Sequence, residues 1–371
     1  MTKKNKELSP FEQKLNNLII RYLTRIPFVQ KMFFVEHLHT MTHAGLSLVE
    51  SLEVLSKEIE NKKLQRVIAE IKSDIEKGQP LSEALTKHPK AFPPIYVRMI
   101  AAGEVAGKLE ESLRQVLNQM RKTHELMSSI RGAMIYPSVI IAAMGGIGVM
   151  MVTVVLPKLI TLFDEFDAEL PLATRILIAI TKFASNPIYL TLITILTALA
   201  IFSFVTSLRK FPDFKRFIHK MNLRLPIAGA IIKKINLASF SLTLSSLLKS
   251  TIPIIEAVQI TADTCSNVIY RDNLKQAAEK IKTGTPLSEI LSQDTMLFPP
   301  MVTEMVMVGE RAGEIQQLLD ELAAFYSDEV DKTMKNFTAI IEPVIIIILG
   351  VAVAGMAVAV IMPMYSLVQN F

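Results

Sequence analysis

Three stretches of this 371-residue chain carry no charged side chain: 132–157, 183–208 and Pro343 to the C-terminus. Each is longer than the ~20 apolar residues that an α-helix needs to cross a bilayer. Hydrocarbon offers backbone N–H and C=O groups no partner, so a chain entering it must close its own hydrogen bonds. At their centres the stretches read VIIAAMGGIGVMMVTVVL, YLTLITILTALAIFSFV and VIIIILGVAVAGMAVAVIM. Fully buried helices of a soluble protein are the alternative, and three of this length in one chain argue against it.

Composition limits the rest. Half the residues are hydrophobic and 20% are charged, which fits soluble regions joined to membrane spans. The net charge is only +5, with no basic block that calls for nucleic acid. Cys265 is the one cysteine, which excludes an intrachain disulfide and a cysteine-based zinc or iron–sulfur site. It reads as a small buried hydrophobe. Lys3, Lys4 and Lys6 give a basic start, but Arg21 and Arg25 interrupt the apolar runs that follow, so no secretory signal is expected. The segment up to residue 28 reads instead as an amphipathic arm, with Leu8, Phe11, Leu15, Leu18, Ile19, Tyr22 and Ile26 on one face.

Basic residues near the span ends set orientation. Arg121, Lys122, Arg131, Arg209, Lys210, Lys215, Arg216, Lys220, Arg224, Lys332 and Lys335 lie on one side, and Lys158, Arg175 and Lys182 on the other. Eleven against three places the N-terminus and both large polar regions in the cytoplasm. The 158–182 loop and the C-terminal tip are expected outside.

The chain is written twice. Phe92-Pro-Pro returns as Phe298-Pro-Pro, Gly103-Glu-Val-Ala-Gly107 as Gly309-Glu-Arg-Ala-Gly313, and Gly78-x-Pro-Leu-Ser-Glu83 as Gly284-x-Pro-Leu-Ser-Glu289. A single offset of 206 residues, without a gap, relates 34–163 to 240–369. Each copy is a polar region that runs into an apolar stretch, and an extra stretch joins the copies.

Each copy reads as helical, with almost no alternating strand pattern. Helices are expected over about 29–43, from the Ser47-x-x-Glu50 capping box, over 62–77, from a first turn that contains Pro80, from Pro93-Pro94, and from Leu109. The Gly103–Gly107 segment is expected to break the chain. The last helix carries Leu109, Leu113, Val116, Leu117 and Met120 on one face, repeated as Ile315, Leu319, Leu322, Ala323 and Tyr326. It is expected to continue into the membrane.

Few residues invite chemistry. His37, His39 and His43 crowd together, but the second copy has Thr243, Ser245 and Lys249 at those positions, so no metal site is expected. Gly103–Lys108 has the wrong spacing for a phosphate loop and no strand before it. No acid–base or nucleophile constellation is repeated, and no cofactor is implied. Glu104 and Glu310 read either as acidic contacts for a partner or as capping carboxylates at a glycine-permitted break. Glu342 is an acid at the lipid edge, where its counterpart is Tyr136. Candidate partner-contact residues are therefore Gly103, Glu104, Gly107, Gly309, Glu310, Gly313 and Glu342.

In their order and duplication these motifs resemble the GspF/PilC family, the inner-membrane platform proteins of type II secretion and type IV pilus assembly. Tyr136-Pro137 and Glu342-Pro343 at two span entrances, Leu225-Pro226-Ile227-x-Gly229, and the segment from Leu156 to Thr174 add to the likeness. Thr251 departs from it, standing where the first copy has Gly45. Asp167-Ala168 replaces a usual glycine, and the arm is short.

The resemblance implies a non-enzymatic, multi-pass protein of the bacterial inner membrane. It implies cytoplasmic contacts with a hexameric assembly ATPase, with a retraction ATPase as a second candidate. It also implies pilins or pseudopilins and other inner-membrane assembly proteins as partners, and self-association at least to a dimer.

The expected architecture is an all-α membrane protein with two duplicated six-helix cytoplasmic bundles and three transmembrane helices. Its expected parts are the arm 1–28, helical domain 29–131, span 132–157, periplasmic loop 158–182, span 183–208, linker and second helical domain 209–342, span 343–365 and periplasmic tail 366–371. The alternative is a membrane transporter or a signalling scaffold. Transporters place polar groups at mid-bilayer, and these spans offer only Ser, Thr and Gly there.

Overall fold

The computed structural model describes residues 26–155, 157 and 187–369. The expected amphipathic face up to Tyr22, the 158–182 loop, the start of the middle span and the last two residues lie outside the described residues.

The first copy folds as α1 (Phe28–His43), α2 (Leu48–Glu58), α3 (Lys62–Glu76), α4 (Leu81–Thr86), α5 (Pro94–Val105) and α6 (Leu109–Met150), which ends in a π turn, Met151–Val155. Then come α7 (Pro187–Lys210) and α8 (Pro212–Arg224). The second copy follows as α9 (Ala228–Lys249), α10 (Ile254–Thr264), α11 (Val268–Lys282), α12 (Leu287–Ser292), α13 (Pro300–Ala312) and α14 (Ile315–Gln369). No strand occurs among the described residues.

Local chemistry explains most of these boundaries. Ser47 and Glu50 form the capping box of α2: the Glu50 N–H donates to Ser47 Oγ at 3.3 Å, and the Ser47 N–H donates to Glu50 Oε2 at 3.0 Å. Asn61 Oδ1 accepts the N–H groups of Lys63 and Leu64 to start α3, and its repeat partner Asn267 accepts that of Ile269 to start α11. Pro94 and Pro300 open α5 and α13 at the first helical position, where the missing N–H costs nothing. Pro80 lies one residue outside α4, at its N-cap, rather than in its first turn. Gly103 lies inside α5, and the break falls at Ala106–Lys108.

Two compact units result. One holds the described residues through Met127 together with Lys233–Asp328, so the water-facing parts of both copies share a unit. Its core is apolar and repeats with the sequence. Phe34 and Phe92 meet with ring centroids 5.4 Å apart, and Phe240 and Phe298 meet at 5.5 Å. Leu113, Val116, Leu117 and Met120 of α6 are buried, as are Leu319, Leu322, Ala323 and Tyr326 of α14. Tyr270 fills space beside Phe298 and donates its hydroxyl to the Leu297 carbonyl at 2.7 Å, so its own buried hydroxyl is paired.

The second unit comprises the described residues of Ser128–Ile232 and Glu329–Phe371. Its helices show their apolar side chains: Ile135, Val139, Ile141 and Ile147 of α6, Leu192, Leu196, Leu199 and Phe202 of α7, and Ile346, Ile347, Val351 and Val358 of α14 are all exposed. A surface like this needs lipid as its solvent.

By length and hydropathy alone α9 also qualifies as a span, but more than half of its apolar window is buried in protein, against almost none of α6 or α14. Leu237, Phe240, Leu244 and Leu247 of α9 are core residues, and Lys233 and Lys234 lie in its first half. Burial therefore separates a core helix from a lipid-facing one where hydropathy does not. Beyond α7 the chain turns by about 100° into α8, a basic helix with Phe214, Phe217 and Met221 exposed.

Candidate functional site

The two repeated motifs of each copy turn out to be halves of one joint. Proline at the N-cap of α4 has no side-chain acceptor, which leaves the first N–H groups of the helix without a partner. Glu104, projecting from α5, supplies it. Its Oε1 accepts the Leu81 N–H at 2.5 Å and its Oε2 accepts the Ser82 N–H at 3.0 Å. Glu310 does the same in the second copy, accepting from Leu287 N at 2.6 Å and Ser288 N at 3.1 Å, with a further short bond from the Ser288 hydroxyl. A carboxylate at a helix N-terminus is favoured both by the N–H groups and by the helix dipole.

The glycines of the motif have two different tasks. Gly103 and Gly309 allow close approach of the following helix. A Cβ on Gly103 would lie 2.3 Å from Ser112 Cβ, and one on Gly309 would lie 2.7 Å from Ile315 Cα. Gly107 and Gly313 reverse the chain with φ of +67° and +74°, a left-handed conformation that glycine adopts without a steric penalty. The turn then closes with Lys108 N on Gly103 O at 2.7 Å and Glu314 N on Gly309 O at 2.9 Å. Gly103, Glu104 and Gly107 thus belong to one cluster, and Gly309, Glu310 and Gly313 to its copy.

Glu342 lies elsewhere, in the second unit. Its Oε1 accepts the Tyr136 hydroxyl at 3.2 Å, so the two residues that occupy one position of the repeat touch each other. Close by, Pro137 has no N–H for the Ala133 carbonyl that a regular helix would pair with it. The Thr338 hydroxyl donates to that carbonyl at 3.4 Å. The span entrances of α6 and α14 are therefore tied at one register.

Sequence reasoning missed the seam between the two copies. Ser246 Oγ donates to Gln119 Oε1 at 2.5 Å, and Ser250 Oγ to Gln115 Oε1 at 2.6 Å. Asp320 receives Lys122 at 3.1 Å and Lys249 in a shorter bond. Arg98 faces Glu256 at 3.4 Å. Burial pushes the Asp320 carboxyl up, but the two lysines outweigh it and hold the group below the usual carboxylate range. A cleft of about 350 Å³ opens beside this seam, with Arg121, Lys122, Lys249 and Asp320 on its wall.

The remaining sequence candidates have ordinary surroundings, except that His39 Nε2 is buried without a hydrogen-bond partner among the described residues. His43 Nδ1 pairs with Glu110 at 2.6 Å, its ring stacks with that of His39, and His37 packs on Phe33. Cys265 is buried, and burial pushes its thiol up to about 12. No group of three metal-ligating side chains gathers among the described residues.

A model of the family described as type II secretion system (T2SS), protein F matches the chain twice, over residues 34–157 and 240–363. The chain belongs to the type II secretion system protein F family. The two matches are themselves offset by 206 residues, the period of the repeat. Among relatives, the type IV pilus assembly protein PilC of Thermus thermophilus is 36% identical over 335 residues, covering 90% of this chain and 82% of the relative. PilC of Myxococcus xanthus is 33% identical over 336 residues, covering 91% and 80%. The type II secretion system protein F of Pseudomonas aeruginosa is 29% identical over 332 residues, covering 90% and 81%. The family is one of structural platform proteins, and with its lipid-facing helices this member is a bacterial inner-membrane protein.

Proposed function

We propose that this family member is a non-enzymatic platform that couples a cytoplasmic hexameric ATPase to the assembly of pilin or pseudopilin subunits into a type IV pilus or a type II secretion pseudopilus. One observation carries the reading beyond family membership. In each copy the same helix, α6 or α14, holds core side chains in its first turns and lipid-facing side chains in its last. That continuity gives a displacement of its watery end a covalent route toward the bilayer, where filament subunits wait. The basic-residue asymmetry supports a cytoplasmic position for both copies and a periplasmic C-terminus.

The Gly103–Gly107 joint is our candidate for the motor-facing surface, with Gly309–Gly313 as its second-copy equivalent. Glu104 acts there by fixing α4 against α5, so it shapes the surface rather than reaching out from it. Glu342 keeps acceptor capacity beside Tyr136, because a carboxylate has about four lone-pair sites. We assign it to the N-terminal amine of an incoming subunit.

Co-purification of the full chain with its ATPase, together with filament assembly in a strain lacking the native copy, tests the reading. Glu104→Lys is expected to weaken ATPase binding while the membrane level of the protein stays constant. Wild-type binding and filaments in that variant would remove the joint from the motor interface. Normal filaments with Glu342→Gln would remove the subunit-amine role. The signalling-scaffold alternative predicts a pull-down partner that is neither an ATPase nor a filament subunit.

A further inference from the structure

The seam between the copies is one-sided. Gln115, Gln119 and Lys122 of the first copy meet Ser250, Ser246 and Asp320 of the second. The repeat predicts a reciprocal seam, in which Glu321, Phe325 and Asp328 of a second copy meet Ala44, Thr40 and Arg114 of a first. Within one chain all six of these residues are exposed. Both halves of that second seam are therefore present and uncovered, and among the described residues Arg114 meets only Glu111 of its own helix, at 3.8 Å.

Burial at matched positions shows the same imbalance. Gln119 is 3% exposed and its equivalent Phe325 41%. Ile95 is 6% exposed and its equivalent Met301 41%. On the opposite face Ile252 is 5% exposed and its equivalent Leu46 40%. The faces that the seam covers in one copy are bare in the other, and they carry apolar side chains there.

Charge tells the occupant. Lys122 meets Asp320 in the seam that exists, and Asp328 would meet Arg114 in the seam that does not, so the pair is again opposite in sign with the two roles exchanged. An interface in which one patch meets a different patch is heterologous, and it leaves complementary ends that another copy can fill. We infer that the free face of the second repeat, around Phe325 and Asp328, docks on the free face of the first repeat, around Thr40, Ala44 and Arg114, of another copy of this chain. One pair opposes the fit: Glu304 would face Glu50 where Arg98 faces Glu256. Both are exposed, where a like-charge pair costs little. This inference rests on the packing of the repeats and is independent of the motor reading.

The full chain in lipid nanodiscs, with two differently tagged populations, provides the test. Asp328→Arg is expected to weaken self-association about tenfold, and adding Arg114→Asp to restore it. Glu304→Arg is expected to tighten it, by up to about fivefold, by supplying the arginine that the existing seam has at this position. Ala44→Cys in one population and Glu321→Cys in the other are expected to cross-link with a short bis-maleimide, while neither population cross-links alone. Buried Cys265 stays silent, and an unchanged thermal transition reports that each variant is folded. Wild-type association in Asp328→Arg, cross-linking of Glu321→Cys to itself, no self-association, or capture of only a foreign protein at Glu321→Cys would each overturn the inference.

Discussion

The two copies of the repeat make the same joint and present different faces. In both, a glutamate from the fifth helix caps the short fourth helix across 22 to 23 residues of chain. In both, one glycine admits the sixth helix and another reverses the chain. The outer surfaces diverge: Gln119 has become Phe325, Lys122 has become Asp328, and Arg98 has become Glu304. The comparison separates two kinds of demand. Folding a copy needs the joint, so it is written twice. Packing the copies together needs unlike surfaces, because each meets a different neighbour.

The largest effect should come from filling the close approach. Gly103→Ala and Gly309→Ala are each expected to lower stability by about 3 kcal/mol, read as thermal unfolding in detergent. The copies should then part company. Ser112→Gly is expected to rescue most of the loss in Gly103→Ala, because the nearest obstacle there is a side chain, with the Lys108 carbonyl at 3.1 Å as the remainder. No truncation at Ile315 should rescue Gly309→Ala, because that obstacle is backbone. Equal rescue in both copies would break the comparison.

Removing the cap comes next. Glu104→Ala and Glu310→Ala should each cost about 2 kcal/mol and speed hydrogen exchange at Leu81 and Ser82, or at Leu287 and Ser288. Ser288→Ala should add a measurable loss and Ser82→Ala almost none, since only Ser288 also donates its hydroxyl.

The seam is expected to respond to pH. Asp320 has a depressed pKa in the folded protein, so its contribution is present above the unfolded carboxylate value of about 3.9 and disappears as pH falls through the lower folded one. Asp320→Asn should therefore cost about 1 kcal/mol at pH 6, and the gap to wild type should close below about pH 4.

The smallest effect is a gain. Thr251 has a φ of +60°, where its counterpart Gly45 has +87°. Relief of ~1–2 kcal/mol of left-handed strain, less ~1 kcal/mol of glycine entropy, predicts about 0.5 kcal/mol of stabilisation for Thr251→Gly. Gly45→Thr should act in the opposite sense.

Much of this was readable in advance. The Ser47–Glu50 box, the helix beginning at Leu109 and the buried stripe from Leu113 to Met120 lie where the sequence puts them, because caps and amphipathic faces involve residues three or four apart. Glu104 was harder. Its glycines drew attention to the turn in which it sits, whereas the helix that it caps begins 23 residues earlier. One clue was available: a proline N-cap without an acceptor, repeated at the same distance from a glutamate.

By itself, then, the sequence determined the duplication, the order of helices and the stretches that must face lipid. Those properties follow from periodicity, local capping and the absence of charge, all of which are fixed by neighbours along the chain. Tertiary structure decided which glutamate caps which helix, that Tyr136 meets Glu342, and which face of each copy is covered. Such contacts depend on the path of the backbone between distant residues, and two faces of similar composition differ only in whether another helix lies against them. The apolar helix α9 shows this most directly: its composition fits lipid, and its neighbours make it core.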